Sequence, residues 1–285
     1  MTPDVYGICM TKNESDIITF CLSHAARYCK KIFVLDNGST DNTWDLVNAL
    51  SEQNDRVVPF ERKICRYGVG LKGYIFNRVR DQFKAGDWVM ILDSDEFLEE
   101  DPNACISYCE SRNFDLIFTP MAQFYITRKD WSENWFRNPP ASIQSFQELP
   151  RYYLINSREA RLFRYRGDLV WPDMDAQGNP TQIGYPRGLN RRRNRGAVIR
   201  HYQYRSLPQM KARIELRSDV YQKTGRFKHN REKDYQRYIR NHERLKKIVE
   251  GKAVKTTPWD YLRLYLMRRS NKFKRFFHNR TMPKT

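Results

Sequence analysis

Asp93 and Asp95 directly follow five apolar residues, Trp88-Val89-Met90-Ile91-Leu92. In a strand, period-two alternation points both carboxylates to the same side. Two carboxylates held together repel unless a cation sits between them. Hard oxygen donors of this kind suit Mg²⁺ or Mn²⁺, which keep open positions for substrate phosphates. The bland alternative is a solvated acidic turn. Two more polar clusters also end apolar runs: Thr11-Lys12-Asn13-Glu14, and Asp36-Asn37-Gly38-Ser39-Thr40-Asp41. The D-N-G-S run is turn chemistry, in which Gly38 tolerates φ > 0.

The elements that must position these clusters alternate in period. Asp4 to Met10, Lys31 to Leu35, Arg56 to Phe60, Trp88 to Leu92 and Asp115 to Phe118 read as strands. Ile17 to Tyr28, Thr43 to Leu50 and Leu71 to Phe83 carry helical spacing, the last stopping before Gly86. Strands alternating with short helices imply a doubly wound α/β sheet with right-handed crossovers. Ligands of such sheets bind beyond the carboxyl ends of the strands, which is where all three polar clusters fall.

Four segments within residues 4–118 resemble glycosyltransferase family 2 in order and spacing: 7–14 (GICMTKNE), 34–43 (VLDNGSTDNT), 73–78 (GYIFNR) and 86–96 (GDWVMILDSDE). Residues 199–206 (IRHYQYRS) resemble the late HY-x-x-RS stretch of small bacterial members. The resemblance implies a GT-A fold: a Rossmann-like, mostly parallel twisted sheet with flanking helices. It implies a domain over 1–205, with a nucleotide-sugar half to about 118 and an acceptor half from about 119. It also implies sugar transfer from a nucleotide-sugar donor with inversion, Mn²⁺ or Mg²⁺ as cofactor, and UDP-sugar as first choice of donor. Carried onto this chain, Asp36 would contact the base, and Thr11 and Glu14 would line its pocket. Asn77 and Arg78 would lie near the ribose or phosphates, and Asn13, Lys72, Asp93 and Ser94 would also bind the donor. Asp93, Asp95 and His201 would form the metal or diphosphate site.

Inverting transfer needs a base for the acceptor hydroxyl. Asp173 and Asp175, in the loop-like segment WPDMDAQGNP, are the catalytic candidates, with Glu148 behind them. Trp131 and Trp135 could stack on sugars or simply pack a helix onto the sheet.

Charge is divided unevenly along the chain. Residues 186–285 hold 30 Lys and Arg against 7 Asp and Glu, while 1–185 hold 21 against 26. That predicts a basic helical extension over 206–285, attractive to polyanions. Helices are expected from Ser206-Leu207-Pro208, over about 232–249, and from Thr257-Pro258 to Phe277. The last mixes Trp, Leu and Phe with Lys and Arg, as an interfacial anchor on an anionic membrane does. Residues 191–195 (RRRNR) could close over the donor diphosphate or bind a phosphorylated acceptor.

No run approaches the roughly 18 apolar residues of a spanning helix, and Met1 to Met10 lacks the pattern of a signal peptide. Six Cys without C-x-x-C spacing read as reduced thiols. A cytoplasmic enzyme, peripheral on the inner membrane face through its basic helix, follows. Its acceptor would be a glycan or glycolipid of surface polysaccharide or lipopolysaccharide synthesis. The competing readings are a sugar-nucleotide nucleotidyltransferase, whose phosphate loop is missing from 7–14, and a basic nucleic-acid- or membrane-binding protein on the same scaffold. No specific nucleic-acid motif is present.

Overall fold

A computed structural model describes residues 3–224, 233–249 and 251–267. One mixed, mostly parallel sheet organises them, in the order β3-β2-β1-β4-β7-β6-β9-β5. Its parallel half is β1 (Val5–Thr11), β2 (Lys31–Asp36), β3 (Val57–Arg62) and β4 (Trp88–Asp93). Every residue of β1 is buried, as expected of a central strand covered on both faces. On one face Val5 and Cys9 pack with Ile18 and Leu22 of α1 (Ile18–Ala25) and Val47 of α2 (Thr43–Gln53). On the other, Tyr6, Ile8 and Met10 meet Leu71 and Ile75 of α3 (Gly70–Val79).

Beyond β4 the sheet changes direction. β5 (Glu96–Leu98) follows at once, and α4 (Asn103–Ser111) leads into β6 (Leu116–Tyr125). After α5 (Asn134–Arg137) comes β7 (Tyr152–Arg164), which runs antiparallel to both β4 and β6. The chain then returns through β8 (Arg192–Arg193) and β9 (Ile199–His201), and β9 pairs with β5 so that His201 lies opposite Glu96. The α/β architecture expected of the sequence, a mostly parallel sheet with flanking helices, is thus the one observed, and the first four strands fall within a few residues of their expected limits, while β6 runs on to Tyr125. All six cysteines are free.

α6 (Leu207–Thr224) starts where Ser206-Leu207-Pro208 predicts and buries Met210 and Ile214. The expected helix over 232–249 is not formed. Residues 235–238 and 242–244 are short 3₁₀ turns, and β10 (Lys246–Lys247) pairs with the edge of β7. The apolar residues that suggested a helix serve two separate cores. Tyr235, Tyr238 and Ile239 join one with Met210, while Ile248 joins another with Phe97 and Tyr153. One straight helix could not reach both. A last helix covers 258–267, and the rest of the expected stretch to Phe277 lies outside the described residues. Among the described residues no helix is long and apolar enough to cross a membrane.

Candidate active site

Asp36 ends β2, and one of its oxygens accepts a hydrogen bond from the Ser39 backbone N–H at 2.6 Å. That bond closes the turn in which Gly38 takes φ +75°, where a Cβ would meet Ile64 at 2.7 Å. The neighbouring turn after β1 is zipped to it. Asn13, at φ 54°, donates its N–H to Ser39 Oγ at 2.9 Å, and its Oδ1 accepts from the Thr40 N–H at 2.8 Å. Glu14 N–H donates to Thr43 Oγ1 at 2.9 Å. Asn13 therefore holds the two turns together. Thr11 Oγ1 and Asp36 Oδ2 are buried with no hydrogen-bond partner in the protein. Unsatisfied buried polar atoms are uncommon and call for an explanation such as a ligand or an ordered water.

Asp93 ends β4, Asp95 lies in the turn that follows, and the two face different partners. Asp93 lies 2.5 Å from Lys72 Nζ, carried by α3, and 3.0 Å from Arg161 Nη2, carried by β7. Arg161 also binds Glu96 at 2.5 Å and Glu159 at 2.9 Å. Asp95 lies 3.5 Å from His201 Nε2 and 3.1 Å from Arg213 Nη2 of α6. Arg213 sits off the hydrogen-bonding direction, so Asp95 Oδ2 stays without a hydrogen bond, as does His201 Nδ1. Arg213 also pairs with Glu14, and the fully buried Arg205 spans Glu14 at 2.6 Å and Asp16 at 2.7 Å.

Burial alone would neutralise these groups, and the pairs decide which resist. Burial raises the Asp95 carboxyl, but His201 and Arg213 outweigh it and hold the carboxyl well below its usual range. Burial disfavours a charged His201, yet Asp95 beside it lifts the imidazole above its ordinary value. Glu96 goes the other way: burial pushes it up to about 7, only partly countered by Arg161.

Among the described residues no group of three His, Cys, Asp or Glu side chains converges as a complete metal cage. Of the three expected metal residues the structure brings two together, Asp95 and His201, each with a buried polar atom that makes no hydrogen bond. Asp93 is turned to Lys72 and Arg161 instead. Two protein ligands and free positions suit Mg²⁺ or Mn²⁺ filled out by phosphate oxygens.

Asn77 and Arg78 of α3 reach the distant 170–183 loop. Asn77 donates to Trp171 O at 2.9 Å, and Arg78 stacks on Tyr74 and lies 3.6 Å from Asp173. The 170–183 loop packs so closely on the start of α3 that a Cβ on Gly70 would come within 2.3 Å of Asp173 O. Asp175 closes its own turn, accepting from the Gln177 and Asn179 N–H groups at 3.0 and 2.8 Å. Glu148 forms a capping box with Ser145.

Trp131 and Trp135 both take the packing role, against Phe136 in the cluster of Met210 and Ile214. The RRRNR segment does not reach the diphosphate position. Arg192 and Arg193 pair with Leu116 and Ile117, at the start of β6. β6 runs parallel to β4, so its start lies at the end of the sheet opposite Asp93. Sequence reasoning assigned no role to Arg161, Arg205 or Arg213. Arg205 carried a signal, as the Arg of HYQYRS, but Arg161 is one of three arginines in its strand, with nothing local to single it out.

The family model described as "Glycosyl transferase family 2" matches residues 8–169. No curated protein matches. Among solved structures the chain is similar to S. aureus TarS, at 16% identity and a TM-score of 0.38, over 76% of this chain and 40% of that one. It is also similar to the mannosyltransferase PcManGT from Pyrobaculum calidifontis, in complex with GDP-Man and Mn²⁺, at 17% identity and a TM-score of 0.37, over 81% of this chain and 65% of that one. The chain thus spans less than two thirds of the length of either.

Proposed function

The chain belongs to glycosyl transferase family 2, and from that premise we propose that it moves a sugar from a nucleotide-sugar donor, UDP-sugar by preference, to a glycan or glycolipid acceptor with inversion. The observation that carries the reading is the pair of unpartnered buried atoms, Thr11 Oγ1 and Asp36 Oδ2, at the ends of β1 and β2 beside the charged end of β4. The Asp36 carboxylate would accept from the base's N–H. Lys72 holds Asp93 in place for the ribose and sugar hydroxyls. Asp95 and His201 would hold Mn²⁺ or Mg²⁺, which when bound offsets negative charge on the departing diphosphate. Arg213, already between Glu14 and Asp95, offers a planar guanidinium to the same phosphate oxygens.

We assign Asp173 as the base rather than Asp175: Asp175 accepts from two N–H groups of its own turn, whereas Asp173 accepts one, from Met174, and its other oxygen faces Arg78 at 3.6 Å. Asp173 lies on a loop seated against the start of α3, the helix that carries Lys72 to Asp93. It would take the proton of the acceptor hydroxyl. That oxygen would then bond to the anomeric carbon from the face opposite the diphosphate, as the carbon–diphosphate bond breaks. A glycolipid acceptor, in surface polysaccharide or lipopolysaccharide synthesis, would bring the enzyme to an anionic membrane surface.

The test is transfer from a panel of UDP-, GDP- and dTDP-sugars to lipid and oligosaccharide acceptors with Mn²⁺, read as nucleoside diphosphate release. Parent enzyme should release one diphosphate in an acceptor-dependent way. Asp173→Asn should lose that turnover while binding the donor as before. Full turnover by Asp173→Asn rejects the base, and no turnover with any donor in the parent counts against the reading as a whole.

A further inference from the structure

The helix over 258–267 has one face docked on the body and a second, apolar face turned outward. Asp260 and Leu264, one turn apart, are buried, and Leu264 packs in the cluster of Phe97, Tyr153 and Ile155. Asp260 is tied down by Lys246 at 2.5 Å and by the Thr257 N–H at 2.8 Å. With one face docked, the helix turns Trp259, Leu262 and Leu266 outward. They are 77%, 45% and 54% exposed, and their i, i+3, i+7 spacing makes one stripe. Tyr265, 49% exposed, widens it. Single exposed apolar residues need no explanation, but a contiguous stripe marks an interaction surface.

The chemistry around the stripe says what covers it. The preceding stretch carries Lys247, Lys252 and Lys255 against Glu250, and residues 268–285 add seven Lys and Arg with no Asp or Glu. A cavity of about 630 Å³ opens in the same part of the body, lined by Phe146, Arg151, Lys247 and Lys252 among others. Its acid, Glu99, is neutralised by Arg200, which it meets at 2.7 Å. Ile248, Val254 and Leu264 anchor this whole segment in a single core cluster, so cavity wall and helix are carried together. Large apolar side chains for an acyl layer, with an excess of cations beside them, match the surface of an anionic bilayer. A protein partner of the same shape would need acidic groups ringing an apolar groove, and a duplex would have no use for the stripe.

We infer that residues 246–267 are a membrane-docking surface: the Trp259–Leu262–Leu266 stripe enters an anionic leaflet, while Arg151, Lys247 and Lys252 engage lipid phosphates. The inference names the partner surface of a glycolipid-directed enzyme and rests on that reading only for its purpose, because docking is measured without donor or acceptor.

The test uses the full chain and sedimentation with vesicles of phosphatidylcholine alone or with added phosphatidylglycerol. Parent protein should sediment with the mixed vesicles and not with phosphatidylcholine alone. Trp259→Ser/Leu262→Ser/Leu266→Ser should bind the mixed vesicles at least tenfold more weakly, with an unchanged thermal midpoint and unchanged nucleotide binding. A second variant ending at residue 267 separates stripe from tail and should keep part of the binding. Triple-variant binding equal to the parent overturns the inference, as does parent protein that ignores the mixed vesicles. A parent that is dimeric by light scattering, with a monomeric triple variant, also overturns it, since a second copy would then cover the stripe. Loss of nucleotide binding in the parent would instead count against the proposed function and leave docking unaffected.

Discussion

Asp36 and Thr11 each keep a buried oxygen without a donor, and a buried acceptor left so costs about 1–3 kcal/mol. A nucleotide base with an N–H aimed at Asp36 removes that cost in the bound state. Asp36→Asn keeps the oxygen that caps Ser39 but replaces the other with an amide donor. It should weaken nucleotide affinity at least tenfold, about 1.4 kcal/mol, in a calorimetric titration, with the melting temperature nearly unchanged. Unaltered affinity would remove Asp36 from the base pocket. The polar ends of β1, β2 and β4 were legible in the sequence because each follows a continuous apolar run. Their cationic partners were not. Lys72 was legible only as a donor residue, and its ion pair with Asp93 depends on how α3 packs on the sheet. Arg161 reaches Asp93 and Glu96 from a strand nearly seventy residues on, which no local pattern announces.

Individual elements carry two further predictions. His24 of α1 is buried against Phe20, Phe97 and Phe146. Burial, assisted by the nearby Arg27 and Arg200 charges, lowers its pKa to about 3. A folded-state pKa below the unfolded value near 6.5 gives stability that is present above pH 6.5 and lost as pH falls below it. The protein should therefore lose about 2 kcal/mol between pH 7 and pH 5 from this group alone. His24→Gln should flatten the melting-temperature profile over that window, and an unchanged slope would contradict the assignment. Gly70→Ala should push the 170–183 loop off α3, because the new Cβ meets Asp173 O and Thr181 N at 2.3 and 2.6 Å. The expected result is reduced transfer with donor affinity largely retained, since the changed contact is to the loop and not to β1 or β2. Full transfer activity would take the loop out of the mechanism. The strands and first three helices were readable because their periods are clean. The stretch over 232–249 misled because its apolar residues, helically spaced, are shared between two cores. Tertiary packing overrides periodicity in such a case.

Across the whole molecule, the late segment completes a site begun by the first strand. Arg205 joins Glu14 and Asp16 across 191 and 189 residues of chain, and Arg213 adds Asp95 to the same network. Breaking a buried pair by removing one partner leaves an uncompensated charge and costs about 3–5 kcal/mol. Arg205→Met should lower stability by that order in denaturant unfolding, and a loss below about 1 kcal/mol would mean the pair contributes no more than an exposed one. The α/β class was plain from the alternation of strands and helices. The closure of the site by α6 was not, because it depends on where β9 delivers the chain. The central claim is that these distant segments form one nucleotide-sugar site in which Asp95 supports a metal. It is tested most directly by calorimetric titration of UDP into the parent and Asp95→Asn, each with and without Mn²⁺. The account predicts UDP binding that Mn²⁺ strengthens in the parent and does not strengthen in Asp95→Asn. Equal Mn²⁺ enhancement in both proteins, or binding by neither, would contradict it.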